Sequence, residues 1–168
     1  SNIWDTQISS LDVAADNAAM GMDLLTTAEE TYGLLSDHLK RVRDLTEQAA
    51  NGTYGSQSLR AIKAGITARL EEVNRISENC EFNGLKMMDG TMGEISLQVG
   101  LYAGADSQIV LAESLFDDAK IAELFGEDKG AVAKKCAGLQ AGTDASTMLT
   151  KIDEVINEIS GRVTTLGA

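Results

Sequence analysis

Proline is absent from all 168 residues, and aromatic side chains make up only 4% of them. Without proline a chain can sustain long helices, because proline removes a backbone donor and clashes with the preceding turn. So little aromatic bulk argues against a compact enzyme built round a large pocket. Histidine occurs once, as His38, and cysteine twice, as Cys80 and Cys136. No run of about eighteen apolar residues occurs, so no helical segment reads as membrane-spanning. Lysine and arginine number 14 against 26 acidic residues, a net charge of −12. Phosphate binding needs a basic surface, so this balance argues against nucleic acid as a partner. The acidity reads instead as solubility and mutual repulsion of free copies. The opening Ser1-Asn2-Ile3-Trp4 is no secretory signal and lacks an initiator Met, so a fragment or processed chain is expected.

What is present is a helical pattern. Hydrophobic residues make up 43% of the chain, enough for one domain with a real core. Leu25, Ala28, Tyr32, Leu35, Leu39, Val42 and Ala49 recur at spacings of three, four or seven, one face of a helix. Upstream, Ile8, Leu11, Ala14 or Ala15, Ala18 and Met22 are expected to continue that stripe. A helix from Asn2 to Ala50 spans roughly 70 Å at 1.5 Å per residue, so the molecule is expected to be elongated. Gly21 and Gly33 each weaken it by about 1 kcal/mol without breaking it.

Asn51 to Ser56 carries turn chemistry. A second, antiparallel helix follows from about Ser56, with Leu59, Ile62, Ile66, Leu70, Val73, Ile76 and Cys80 on one face. Glu71 to Arg75 is a four-residue ion-pair spacing. Phe82-Asn83-Gly84 is expected to end this helix. The period then changes to two: Ile95, Leu97, Val99 and Leu101 alternate with polar or small residues, and Gln108 to Ala112 reads as a return strand. Asp117 to Phe125 suits a short helix, and Gly126 to Gly142 carries several loop residues. Met148, Ile152, Val155 or Ile156, Ile159, Val163 and Leu166 form a last helical edge, with Thr143 or Asp144 as N-cap. The fold expected is mainly α: an elongated three-helix antiparallel rod with a β-hairpin insert. Its parts are two N-terminal helices (1–81), a hairpin and irregular segment (82–143) and a C-terminal helix (144–168). If the third helix runs antiparallel to the first, both chain ends leave from one pole.

Catalytic chemistry finds no footing. His38 has no ligand type four residues to either side, so it reads as an exposed or capping histidine. Cys80 and Cys136 lack CxxC spacing. They fall at opposite ends of the second helix, about 36 Å apart, whereas a disulfide needs Cα atoms within about 7 Å; two free thiols are expected. No phosphate loop, HExxH or GxSxG is present. Asp117-Asp118 and Glu71-Glu72 read as solvated helix faces, and Met87-Met88 as packing. No cofactor or metal site is nominated.

Ordered motifs carry a resemblance. Leu39-Lys40-Arg41-Val42-Arg43-Asp44-Leu45, Gln48-Ala49-Ala50-Asn51-Gly52-Thr53, Arg69 to Ser77, Phe82-Asn83-Gly84 and Gln98-Val99-Gly100 resemble segments of bacterial flagellin. Leu11, Asn17, Ala18, Gly21, Thr27 and Glu29 match its first helix; Leu149, Ile152, Asp153 and Leu166-Gly167-Ala168 match its C-terminal helix. The resemblance covers about 1–112 and 144–168. It implies a non-enzymatic filament subunit, exported unfolded and polymerised outside the cell in the flagellum, giving motility. Its implied partners are other flagellin subunits, an export chaperone and the animal Toll-like receptor that senses flagellin. It further implies that terminal polymerisation helices are missing here, so this core is not expected to polymerise alone. The segment 113–143 stands where many flagellins carry bulky outer domains. Receptor contact is implied at Lys40, Arg41 and Leu45, with Gly65 where relatives often carry an acidic side chain; that glycine is expected to weaken receptor engagement and local helix stability. The alternative role for Arg41 and Arg43 is packing between subunits of the filament. A hook–filament junction protein and a secreted helical adhesin are the rival readings.

Overall fold

The computed structural model describes residues 2–98, 108–111 and 113–166. Helix α1 (Asn2–Asn51) runs unbroken for 50 residues, about 75 Å. Helix α2 (Ser56–Asn79) folds back along its upper half. Two short strands, β1 (Glu81–Phe82) and β2 (Leu85–Lys86), pair antiparallel. A second antiparallel pair, β3 (Ile95–Gln98) and β4 (Gln108–Leu111), places Ile95 opposite Leu111. A 3-10 turn (Glu113–Phe116), α3 (Ile121–Phe125) and α4 (Lys129–Cys136) lead to α5 (Ala145–Leu166). Arg43 of α1 meets Asp153 of α5, while Tyr32 lies beneath Arg162; as α1 ascends α5 descends, so the two are antiparallel.

The core follows the central stripe. Ala28, Tyr32, Leu35, Leu39 and Val42 are fully buried against Ile66, Leu70 and Val73 of α2 and Ile152, Val155 and Ile159 of α5. The helix ends are capped as their residues predict. Asp144 accepts from Ser146 N at 3.0 Å and so starts α5, and Asp128 accepts from Ala131 N at 2.8 Å at the head of α4. Each satisfies a donor that has no partner inside the helix. Met87 and Met88 are fully buried packing residues.

Several expectations are corrected. The upstream stripe of α1 is not covered: Ile8, Leu11 and Met22 are exposed, and only Ala14 is buried. Neither α2 nor α5 is long enough to reach them, since 24 and 22 residues span only about 36 and 33 Å. The ion pair of Arg75 forms with Glu72, and Glu71 reaches Lys129 instead. Helix α2 ends at Asn79, before Phe82. Asn83 and Gly84 both take positive φ (51° and 82°), the primed turn that a two-residue hairpin between β1 and β2 requires. Asp117 and Asp118 lie outside any helix; the Asp118 carboxylate accepts from Lys120 N. Residues 126–142, read as loop-rich, contain α4. The expected strand positions Val99 and Leu101, the turn beyond them, Gly100, Ala112 and the closing Gly167-Ala168 lie outside the described residues.

The middle excursion is tied to all three long helices through its backbone. Tyr32 Oη donates to Leu115 O, Ser77 Oγ to Ala119 O at 2.9 Å, and Arg162 Nη1 to Asp117 O at 3.0 Å. Asn74 Oδ1 accepts from Ile121 N at 2.7 Å. Backbone groups of a buried crossing segment need such partners.

Candidate functional site at the exposed faces

Among the described residues no cluster of histidine, cysteine and acidic side chains is arranged to hold a metal ion. His38 is half-buried, with Nδ1 3.2 Å from Arg69 Nη1. The two thiols are unpaired. Cys80 Sγ lies 3.5 Å from Thr31 Oγ1, and Cys136 is buried against Thr46. Those α1 partners are fifteen residues apart, about 22 Å along the helix. Burial raises both thiols, Cys136 to about 11 despite its hydrogen bond to Thr46, because an apolar surround disfavours the thiolate. Burial thus lowers the thiolate character of both, and more so at Cys136.

The functional features are therefore faces. Along Leu39–Leu45 the helical repeat sends Leu39, Val42 and Leu45 into the core and leaves Lys40 and Arg41 exposed. Arg43 turns sideways, its Nε 2.6 Å from Asp153 Oδ1 and its Nη1 3.1 Å from Glu47. The Asp153 carboxylate raises the Arg43 guanidinium's affinity for its proton, and the contact clamps α1 to α5. Of the four residues expected at a receptor face, Lys40 and Arg41 are solvent-facing, Leu45 is buried, and Gly65 sits above it. A Cβ on Gly65 would come within 3.3 Å of Leu45 Cδ1.

A second feature escaped the reading by apolar stripes. Residues 1–39 contain no lysine or arginine but seven acids: Asp5, Asp12, Asp16, Asp23, Glu29, Glu30 and Asp37. Asp16, Asp23, Glu30, Asp37 and Asp44 recur every seventh residue, nearly two full turns. They therefore line one exposed side of α1, with Asp5 and Asp12 extending it downwards. Cations begin only at Lys40, and two lie near the other pole. Arg60 and Lys63 on α2 border an open groove of about 420 Å³ floored by Ala64, Thr67 and Ala68 and closed by Glu71. The signal was legible as the spacing of charge, with the first cation only at Lys40.

These features can be set beside known proteins. The family model of the bacterial flagellin N-terminal helical region matches residues 1–92. Polar flagellin F of Vibrio parahaemolyticus is 38% identical over 66% of this chain and 29% of its own length. A flagellin of Serratia marcescens is 34% identical over 99% of this chain and 45% of its own length. This chain thus spans less than half of either relative. The crystal structure of Bacillus cereus flagellin is similar in fold, with a TM-score of 0.66, 24% identity and coverage of 89% of this chain and 79% of that one.

Proposed function

Because this chain belongs to the bacterial flagellin family, we propose that it acts as a structural subunit of the flagellar filament, outside the cell, and not as an enzyme. The observation that carries this reading is α1: an unbroken helix whose lower third presents Trp4, Ile8, Leu11 and Met22 to solvent. Large apolar side chains repeated on one helix edge mark a surface made to be covered. Laterally and axially repeated contacts on a rigid rod give open helical polymers. The two curated relatives are named flagellins, which favours the filament over the hook–filament junction or an adhesin. Motility follows from that role, and an export chaperone would be a partner before assembly, shielding the same apolar edge. Electron microscopy of the full-length protein that carries this sequence, under polymerising conditions and with antibody against this chain, tests the reading. Long filaments of uniform diameter carrying the label are expected; amorphous or monomeric material would overturn it.

The exposed Lys40 and Arg41 support a second role, recognition by the flagellin-sensing Toll-like receptor. Arg41 is a planar cation free for bidentate contacts, as hot-spot arginines are. Leu45 and Gly65 form the floor on which that helix edge rests, and the bare Gly65 position offers the receptor no side chain.

A further inference from the structure

We propose that the acidic lower side of α1, around Asp12 and Asp16, docks into the basic groove of α2, at Arg60 and Lys63, on a second copy of this chain. The inference rests on the filament reading and deepens it by assigning which faces meet. Two unpartnered surfaces on one molecule match in charge, relief and length.

Charge comes first. Asp12 and Asp16 are exposed, and Arg60 and Lys63 form no ion pair among the described residues. Each copy carries −12, so most approaches of two copies bring like charge to like and are repelled. The α2 groove is a place where an acidic helix meets two uncommitted cations, and the absence of any cation before Lys40 leaves the lower α1 side uniformly acidic.

Relief and length agree. Ala64 and Ala68 on the groove floor let a second helix approach closely, since no large side chain stands between the axes. Exposed Ile8 lies one turn below Asp12, and exposed Met20 one turn above Asp16, on the same side of α1. These apolar groups flank the acids and would sit over the alanine floor. Asp12 and Asp16 are about 6 Å apart along their axis and Arg60 and Lys63 about 4.5 Å, so two acids span two cations. In rods stacked in one direction α1 of the second copy crosses α2 antiparallel, because α2 runs back along α1. The contact joins the lower pole of one copy to the upper pole of the next and leaves a free face of each kind, so it propagates instead of closing.

The test uses two double variants of the whole chain, Arg60→Glu/Lys63→Glu and Asp12→Lys/Asp16→Lys, followed by sedimentation velocity and light scattering across concentration. The parent is expected to self-associate, and each variant alone to associate at least tenfold more weakly. An equimolar mixture should return to within about threefold of the parent, because every contact between unlike copies again joins opposite charges. Circular dichroism of each variant separates loss of contact from loss of fold. In a mixture of nitrogen-14 and nitrogen-15 parent chains, zero-length carbodiimide coupling should join Lys63 to Asp12 or Asp16 across isotopes. Variants that associate like the parent, a mixture that does not recover, or inter-copy links from Lys63 only to other carboxylates would each overturn the proposal while leaving the filament reading, which the full-length protein tests, intact. A parent that stays monomeric while the full-length protein yields labelled filaments in the microscope would also overturn this docking; absence of both would overturn the two readings together.

Discussion

The guanidinium carbon of Arg162 lies 5.6 Å from the centre of the Tyr32 ring, and both residues secure one stretch of backbone. Arg162 donates to the carbonyls of Asp117 and Asp118, and Tyr32 to that of Leu115. The arginine is 8% exposed and the tyrosine fully buried. Burial raises the Tyr32 phenol above its ordinary range, against the opposing pull of the cation above it. The middle excursion is therefore held by a cation–aromatic pair from α5 and α1, elements 130 residues apart in sequence.

Removing that cation should loosen the excursion before the rod. Arg162→Ala leaves two carbonyls without their donor and a void over the ring, a loss of about 2–3 kcal/mol. Tyr32→Phe keeps the ring and removes one hydrogen bond, so about 1 kcal/mol is expected. Denaturant unfolding measures both. Hydrogen exchange should show protection lost first at 115–121 in Arg162→Ala; uniform loss along α1 would contradict the assignment.

Gly21 and Gly33 both interrupt α1, yet they should respond oppositely to alanine. Nothing lies within 4 Å of a Cβ on Gly33, and the site is exposed, so Gly33→Ala should stabilise by about 0.5–1 kcal/mol through helix propensity. A Cβ on Gly21 would come within 2.7 Å of Leu97 Cδ1, so the Leu97 side chain must turn aside and lose its packing on the helix, beside the bond from Asn17 Nδ2 to Gln98 O. Gly21→Ala should therefore gain nothing in Tm and speed amide exchange over 95–98. An equal gain in Tm for both variants would show that the hairpin does not rest on Gly21.

How much of this was legible in the sequence depends on who supplies the partner. The stripe Ala28–Val42 was readable because its period is helical and the chain itself covers it. Ile8, Leu11 and Met22 share the period but face solvent, because periodicity reports an apolar side and not what lies opposite. Residues 113–143 were opaque for another reason. Helices of 5 and 8 residues are too short for a period to emerge or for propensity to sustain them. Tyr32, Ser77, Asn74 and Arg162 hold that region from far along the chain. The charge segregation was fully written in the sequence, yet only the antiparallel packing of α1 with α5 and the fold-back of α2 turn it into two poles.

Thiol burial makes a pH prediction. The folded Cys136 thiol is raised to about 11 from an ordinary value near 9. Folding therefore favours the protonated form, and its stabilisation is fully present below about pH 9. It is lost as pH rises from there through about 11, amounting to about 3 kcal/mol across that window. Cys136→Ala should flatten the fall in stability between those limits. With a disulfide-exchange reagent at pH 8, half-buried Cys80 should react before Cys136, and unfolding should release both. Prompt reaction of Cys136 in the native protein would rule out its burial.

Arg41 and Arg43, two residues apart, should separate recognition from stability. Arg43 is committed to Asp153 in a partly exposed pair, so Arg43→Ala should lower Tm slightly, and Asp153→Asn by about the same amount. A double variant should lose little more than either single one, since both remove one interaction. Arg41 makes no ion pair among the described residues, so Arg41→Ala should leave Tm unchanged. If the receptor reads this edge, Arg41→Ala should lower receptor signalling at least tenfold, the scale of a lost hot-spot contact. Arg43→Ala, though less stable, should signal nearly as the parent does at temperatures where both are folded. A reporter-cell assay beside thermal melts reads both quantities. Unchanged signalling by Arg41→Ala would sink the receptor assignment while leaving the α1–α5 clamp standing on its own measurement.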